Sequence, residues 1–168
     1  VPVERNYLFN TDKIKYVKGG KPPVECILCA IRDKNPLVKD LTVFSSESFI
    51  VALNLYPFNP GHLMIFPSRH VESVKELTEA EVLGMHKLLK LSIEIMDAEF
   101  SPHGYNVGYN LGNGSGASIP HIHQHLVPRY DNEIGFLDVL SGTRVMVSDP
   151  LEVFEMLKQR FASMAGGL

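Results

Sequence analysis

His121-Ile122-His123-Gln124-His125-Leu126-Val127-Pro128 is the stretch on which the rest of the chain turns. Side chains alternate along an extended strand, so residues i, i+2 and i+4 share one face. The spacing therefore predicts a strand carrying three imidazoles in a row, about 7 Å apart. The chain has 7 histidines, and three of them fall here. Two chemistries fit the pattern. Histidines at this spacing are a common way to hold zinc or another divalent ion, and neutral imidazole is also a nucleophile near pH 7. Spacing alone does not separate them.

Working outward on the N-terminal side, Gly112-Asn113-Gly114-Ser115-Gly116-Ala117-Ser118 runs straight into the histidines. Such a loop permits positive φ and lets backbone N–H groups approach an anion. It is not a dinucleotide fingerprint, because a strand follows where that motif needs a helix. Tyr105–Leu111 alternates as a strand, and Ser101-Pro102-His103-Gly104 breaks the helix before it. That helix begins at a capping box, Thr78-x-x-Glu81, and runs to about residue 99. Val82, Met85, Leu89, Ile93, Met96 and Phe100 form its apolar stripe. His86 reads as a boundary residue, and His103 as a solvated turn residue.

Further toward the N-terminus, Leu41–Phe44 and Phe49–Leu53 read as a β-hairpin about Ser45–Ser48. His62–Phe66 is a third strand, ended by Pro67 and reached through a loop holding Pro57 and Pro60. On the C-terminal side, Phe136–Val145 has no clear reading. Asp149-Pro150-Leu151-Glu152 starts a final helix with Asp at N-cap and Pro at N1, and Val153, Leu157, Phe161 and Met164 supply its buried side. Five strands, one long central helix and a C-terminal helix, without βαβ repetition, give an α+β fold with a five-stranded antiparallel sheet.

The 168 residues, 45% of them hydrophobic, suit a single domain spanning 1–168. Its core covers about 24–130, with an N-terminal extension 1–23 and a C-terminal segment 131–168. A net charge of −3 provides no basic field for nucleic acid. No apolar run is long enough to cross a membrane, and Val1–Asn6 has no signal-peptide pattern, so a soluble cytoplasmic protein is expected. The only two cysteines form Cys26-x-x-Cys29, which in a reducing compartment reads as a metal half-site or a redox pair. The loop Lys21-Pro22-Pro23 ahead of the pair argues against a thioredoxin-like motif, which opens a helix after a strand.

His121-x-His123-x-His125-Leu126-Val127-Pro128-Arg129 resembles the signature of the histidine triad (HIT) superfamily of nucleotide hydrolases and transferases. Asn59-Pro60-Gly61-His62-Leu63-Met64-Ile65-Phe66-Pro67 looks like the family's second block, and the likeness covers roughly residues 24–130. The tail from Phe136 to Val145 looks most like the diadenosine tetraphosphate phosphorylase-like branch. The resemblance implies that His123 is the nucleophile, forming a covalent nucleotidyl-histidine at the α-phosphate of a dinucleoside polyphosphate. It implies that His125 and the Gly112–Ser118 loop, Gly116 included, hold the phosphate oxygens. Asn110 and Ser118 match phosphate contacts, Asn54 matches a ribose contact, and His62 matches a residue that orients the triad from behind.

The resemblance further implies a homodimer joined through Tyr105–Leu111 and the long helix, with Arg144 reaching a polyphosphate. It also implies a structural zinc on Cys26, Cys29, His70 and His121, which would leave His123 and His125 to the phosphate. Two positions depart from the family pattern: Gln124 stands where an apolar residue is usual, and Ala117 replaces a common Gln. As a polar residue opposite the histidines, Gln124 is either a satisfied buried amide or a subunit contact. Three other functions compete with a dinucleoside polyphosphate phosphorylase or hydrolase. They are an adenosine phosphoramidate hydrolase, a nucleotide-binding module with little turnover, and a metal hydrolase using all three histidines with Asp131 beside them.

Overall fold

A computed structural model of the chain describes residues 22–131, 133 and 148–165. The expectations for the N-terminal extension, for Phe136–Val145 and for Arg144 fall outside those residues.

Five strands form one antiparallel sheet in the order β1-β2-β3-β5-β4. They are β1 (Thr42–Ser45), β2 (Phe49–Leu53), β3 (Leu63–Pro67), β4 (Gly104–Tyr109) and β5 (Gln124–Arg129). The β1–β2 hairpin closes through Ser46, whose N–H donates to the Phe49 carbonyl at 2.8 Å. Strands β2 and β3 are buried along almost their whole length because both faces are covered. Val51, Leu53, Leu63 and Ile65 point to one side, against the long helix α2 (Glu79–Phe100) and the C-terminal helix α3 (Pro150–Met164). Ile50, Ala52, Met64 and Phe66 point to the other side, against the short helix α1 (Ile27–Arg32). Alternation along each strand thus separates a packing face from the face that carries the site.

The capping box is present on α2, and Asp149 caps α3 by accepting the Leu151 N–H at 2.7 Å. The stripe on α2 differs from expectation: Val82 is exposed, and the buried side is Met85, Leu88, Leu89, Leu91, Ser92, Ile95 and Met96. The sheet and α3 lie against this wider arc. Met164 is likewise exposed on α3, whereas Val153, Leu157 and Phe161 are buried.

Helix α1 was not expected. Cys26 sits at its N-cap with extended backbone, and its sulfur accepts the Cys29 N–H at 3.5 Å. The pair therefore does open a helix, but no strand leads into it among the described residues.

Candidate active site

The histidine stretch is not one continuous strand. Strand β5 begins at Gln124, and His121 to His123 form an irregular lead-in held by the Ile122 N–H on the Val71 carbonyl at 2.6 Å. The three rings consequently do three different things, where a regular strand would have aligned them.

The His121 ring is buried, and its Nε2–H donates to the Pro67 carbonyl at 3.0 Å. A carbonyl can only accept, so Nδ1 keeps its lone pair, and that atom lies 3.5 Å from Cys26 Sγ and 3.6 Å from Cys29 Sγ. Burial holds this imidazole neutral by lowering its pKa to about 4. His70 is arranged alike, with Nδ1 3.3 Å from Cys29 Sγ and Nε2–H turned to the Glu72 carboxylate at 3.4 Å. All four donor atoms of Cys26, Cys29, His70 and His121 lie within 4.8 Å of one another. Two sulfurs and two imidazole nitrogens with their other N–H groups tied back are a donor set suited to a tetrahedral, thiophilic cation.

His123 is buried, and its Nδ1–H donates to the His121 carbonyl at 2.7 Å, which leaves Nε2 as the unprotonated nitrogen. Burial lowers the pKa of this ring as well. Its ring stands nearly perpendicular to that of His125, with centroids 4.7 Å apart.

His125 ends a chain of donors. The Phe58 N–H donates to His62 Nδ1 at 3.2 Å, so His62 carries its proton on Nε2, which lies 3.0 Å from His125 Nδ1. His125 Nδ1 is then the acceptor and its N–H is on Nε2, which lies 3.2 Å from Asn110 Nδ2. An amide nitrogen only donates, so in this tautomer the two groups are neighbouring donors and not partners of each other. His62 is fully buried, with the Phe58 ring stacked on it at 5.3 Å and 16°. The turn that presents His62 depends on Gly61, whose φ of +83° disfavours any residue with a Cβ.

His123 and His125 line a cavity of about 470 Å³ together with Asn54, Asn110, Gly116 and Ser118. The Oδ1 of Asn54 also accepts the Tyr56 N–H at 2.9 Å, so this residue starts a turn as well as lining the cavity. His62 and His121 stand outside the lining, one behind His125 and the other in the cysteine cluster. The remaining walls are largely aliphatic, from Ile27, Leu28, Ile31, Val38, Leu55 and Ile119. Sequence reasoning named none of these six, because nothing in their spacing separates a pocket wall from ordinary core. It also missed Pro67, Phe58 and Glu72, which act through backbone atoms or a carboxylate near a ligand.

His86 and His103 are exposed and lie off the site, and Asp131 meets His103 at 3.3 Å, not the triad. Gln124 points to the packing face, and its Oε1 is buried without a hydrogen-bond partner among the described residues. It is not the fully satisfied amide that was one of the two expectations.

A buried histidine cluster at the edge of a small apolar cavity, on one face of a five-stranded antiparallel sheet, defines the class of fold and site. Residues 35–132 match the HIT domain, and the chain belongs to that family. The cysteine pair precedes the matched stretch, so half of the metal-type cluster lies outside it. A Mycobacterium tuberculosis protein named AP-4-A phosphorylase is 37% identical over 107 residues, covering 63% of this chain and 55% of that protein. The Schizosaccharomyces pombe bis(5'-nucleosyl)-tetraphosphatase (asymmetrical) is 32% identical over 77 residues, 46% of this chain and 42% of that one. The chain thus spans about half the length of these two relatives. A crystal structure of a zinc-bound histidine triad family protein from Mycobacterium smegmatis superimposes with a TM-score of 0.69, covering 86% of this chain and 98% of that one. At 23% identity this likeness speaks to the fold.

Proposed function

We propose that the chain cleaves dinucleoside polyphosphates at the α-phosphate through His123, as a phosphorylase or hydrolase. The observation that carries this is the Nδ1–H bond from His123 to the His121 carbonyl at 2.7 Å, which leaves Nε2 as a lone pair on a cavity wall. Nε2 attacks the α-phosphorus, a P–N bond forms, and the P–O bond to the leaving polyphosphate breaks with the electron pair going to that oxygen. Water or phosphate then attacks the same phosphorus, and the P–N pair returns to Nε2. The Nε2–H of His125, fixed as a donor by the Phe58–His62 chain, meets the non-bridging oxygens as their charge builds. Asn110, Ser118 and the Gly116 backbone assist there, and Asn54 takes the ribose hydroxyls. The aliphatic walls take the base. The names of the relatives support the substrate class.

In the same reading Cys26, Cys29, His70 and His121 hold a zinc ion, whose contribution when bound is structural, since four protein ligands leave no open position. Two free cysteines in such a cluster suit a reducing, cytoplasmic setting.

Trapping tests the proposal. Brief mixing with labelled diadenosine tetraphosphate followed by denaturation should leave an acid-labile nucleotide adduct on the wild type and none on His123→Asn. Turnover without any adduct would overturn the covalent route. Tight nucleotide binding without turnover would instead favour a binding module.

A further inference from the structure

We propose that a cation held by Cys26, Cys29, His70 and His121 sets nucleotide affinity by fixing α1 as one wall of the cavity. This rests on the cavity being a nucleotide site. Helix α1 serves two clusters at once. Its N-cap, Cys26, and its first-turn residue, Cys29, face His70 and His121. Ile27, Leu28 and Ile31 of the same helix line the cavity shared with His123 and His125.

A six-residue helix is well below the length that persists alone, so its position comes from its anchors. Two anchors are independent of a cation. Leu28 and Ile31 pack on Ile50, Ala52, Met64 and Phe66, and Arg32 Nη1 donates to the Ser68 carbonyl at 2.8 Å. The apolar driving force is itself non-directional, so packing constrains the tilt and rotation of so short a helix less sharply than ligand bonds do. The single hydrogen bond lies at the last residue of the helix and is exposed. At the N-terminal end, the contacts between sulfur and imidazole at 3.3–3.6 Å are weak hydrogen bonds when a thiol makes them. Ligation replaces them with directional bonds from both ends of the first turn to two fixed imidazoles. His121 is itself pinned through Pro67 at the end of β3. The pitch of α1, and with it the placing of Ile27, Leu28 and Ile31, then follows from the cation.

The test compares the zinc-loaded chain of 168 residues, the same chain stripped by a chelator, and the stripped chain given zinc again. AMP binding is measured by calorimetry, and backbone protection by hydrogen exchange. The AMP Kd should rise at least ~5-fold on stripping and return with zinc, the low end of ordinary site coupling. Protection should fall at the Ala30 and Asp33 amides, which bond the carbonyls of Cys26 and Cys29, while β2 and β3 stay protected. In His70→Ala, whose three remaining ligands exchange zinc more readily, AMP should tighten zinc binding by the same factor as zinc tightens AMP. Equal AMP affinity in loaded and stripped protein would overturn the coupling. So would loss of protection throughout β2 and β3, which would make the cation a global fold holder. Failure of the zinc-loaded protein to bind AMP at all is a different result and would overturn the nucleotide reading itself.

Discussion

His121, His123 and His125 share a residue type and a regular spacing, and each is set to a different task by what its second ring nitrogen touches. Pro67 leaves Nδ1 of His121 as a lone pair facing the two cysteines, the His121 carbonyl leaves Nε2 of His123 as its lone pair, and His62 puts the proton of His125 on Nε2. The spacing was legible in the sequence, but the tautomers were not, because their partners are backbone carbonyls or residues tens of positions away. On the proposed function, His125→Ala should lower kcat by about 10²–10³-fold, the usual effect of deleting one oxyanion donor. The nucleotide Kd should change far less, which separates transition-state from ground-state contacts in steady-state and binding measurements. A Kd that rises as steeply as kcat falls would make His125 a binding residue only.

Helix α2 shows how far local chemistry carries. Thr78 and Glu81 form the capping box that the sequence displays, and tertiary structure adds Arg69, which reaches Glu81 from just beyond β3. The Arg69 guanidinium, with help from Thr78, holds the Glu81 carboxyl down at about 2 against an ordinary 4.5. The folded pKa lies below the unfolded one, so the stabilisation is complete above pH 4.5 and is lost as the pH falls toward 2. Acid unfolding of Glu81→Gln should therefore have a shallower pH dependence in that window than the wild type, and parallel curves would contradict this. Thr78→Ala should cost about 1 kcal/mol by chemical denaturation through loss of the cap. Helix α1 is the opposite case. Its sequence reads as a cysteine pair after a glycine- and proline-bearing loop, with no helical period, and the sheet beneath it and the facing histidines give six residues a reason to be helical.

At the level of the molecule, the sheet divides labour between its faces. Helices α2 and α3 seal one side, where Phe161 is fully buried and meets Phe44 with ring centroids 6.1 Å apart. Phe161→Ala should cost about 3–5 kcal/mol in stability while leaving turnover per folded molecule close to wild type, since the site is on the other face. A specific loss of turnover would show that the two faces are coupled. Strand β4 ends the sheet, and its outer edge has no neighbouring strand among the described residues. Val107 on β4 and Val82 and Leu83 on α2 are exposed. The family resemblance implies a twofold dimer, for which the open β4 edge with its exposed Val107 is the contact surface to test. Sedimentation should show a dimer for the wild type and a monomer for Val107→Arg. A wild-type monomer at micromolar concentration would remove that assembly.

The sequence by itself determined the five strands and two of the helices, the antiparallel sheet, the capping of α2 and α3, and the family, because periodicity, cap residues and a dense histidine motif act over a few positions. It also supplied the cysteines and histidines of the metal-type cluster, although through resemblance more than through spacing. Only the tertiary structure decided which nitrogen of each histidine carries the proton, which aliphatic residues wall the cavity, and that α1 joins that wall to the cysteine cluster. Those are outcomes of contacts between residues up to 95 positions apart, as between Cys26 and His121, and no local pattern encodes them.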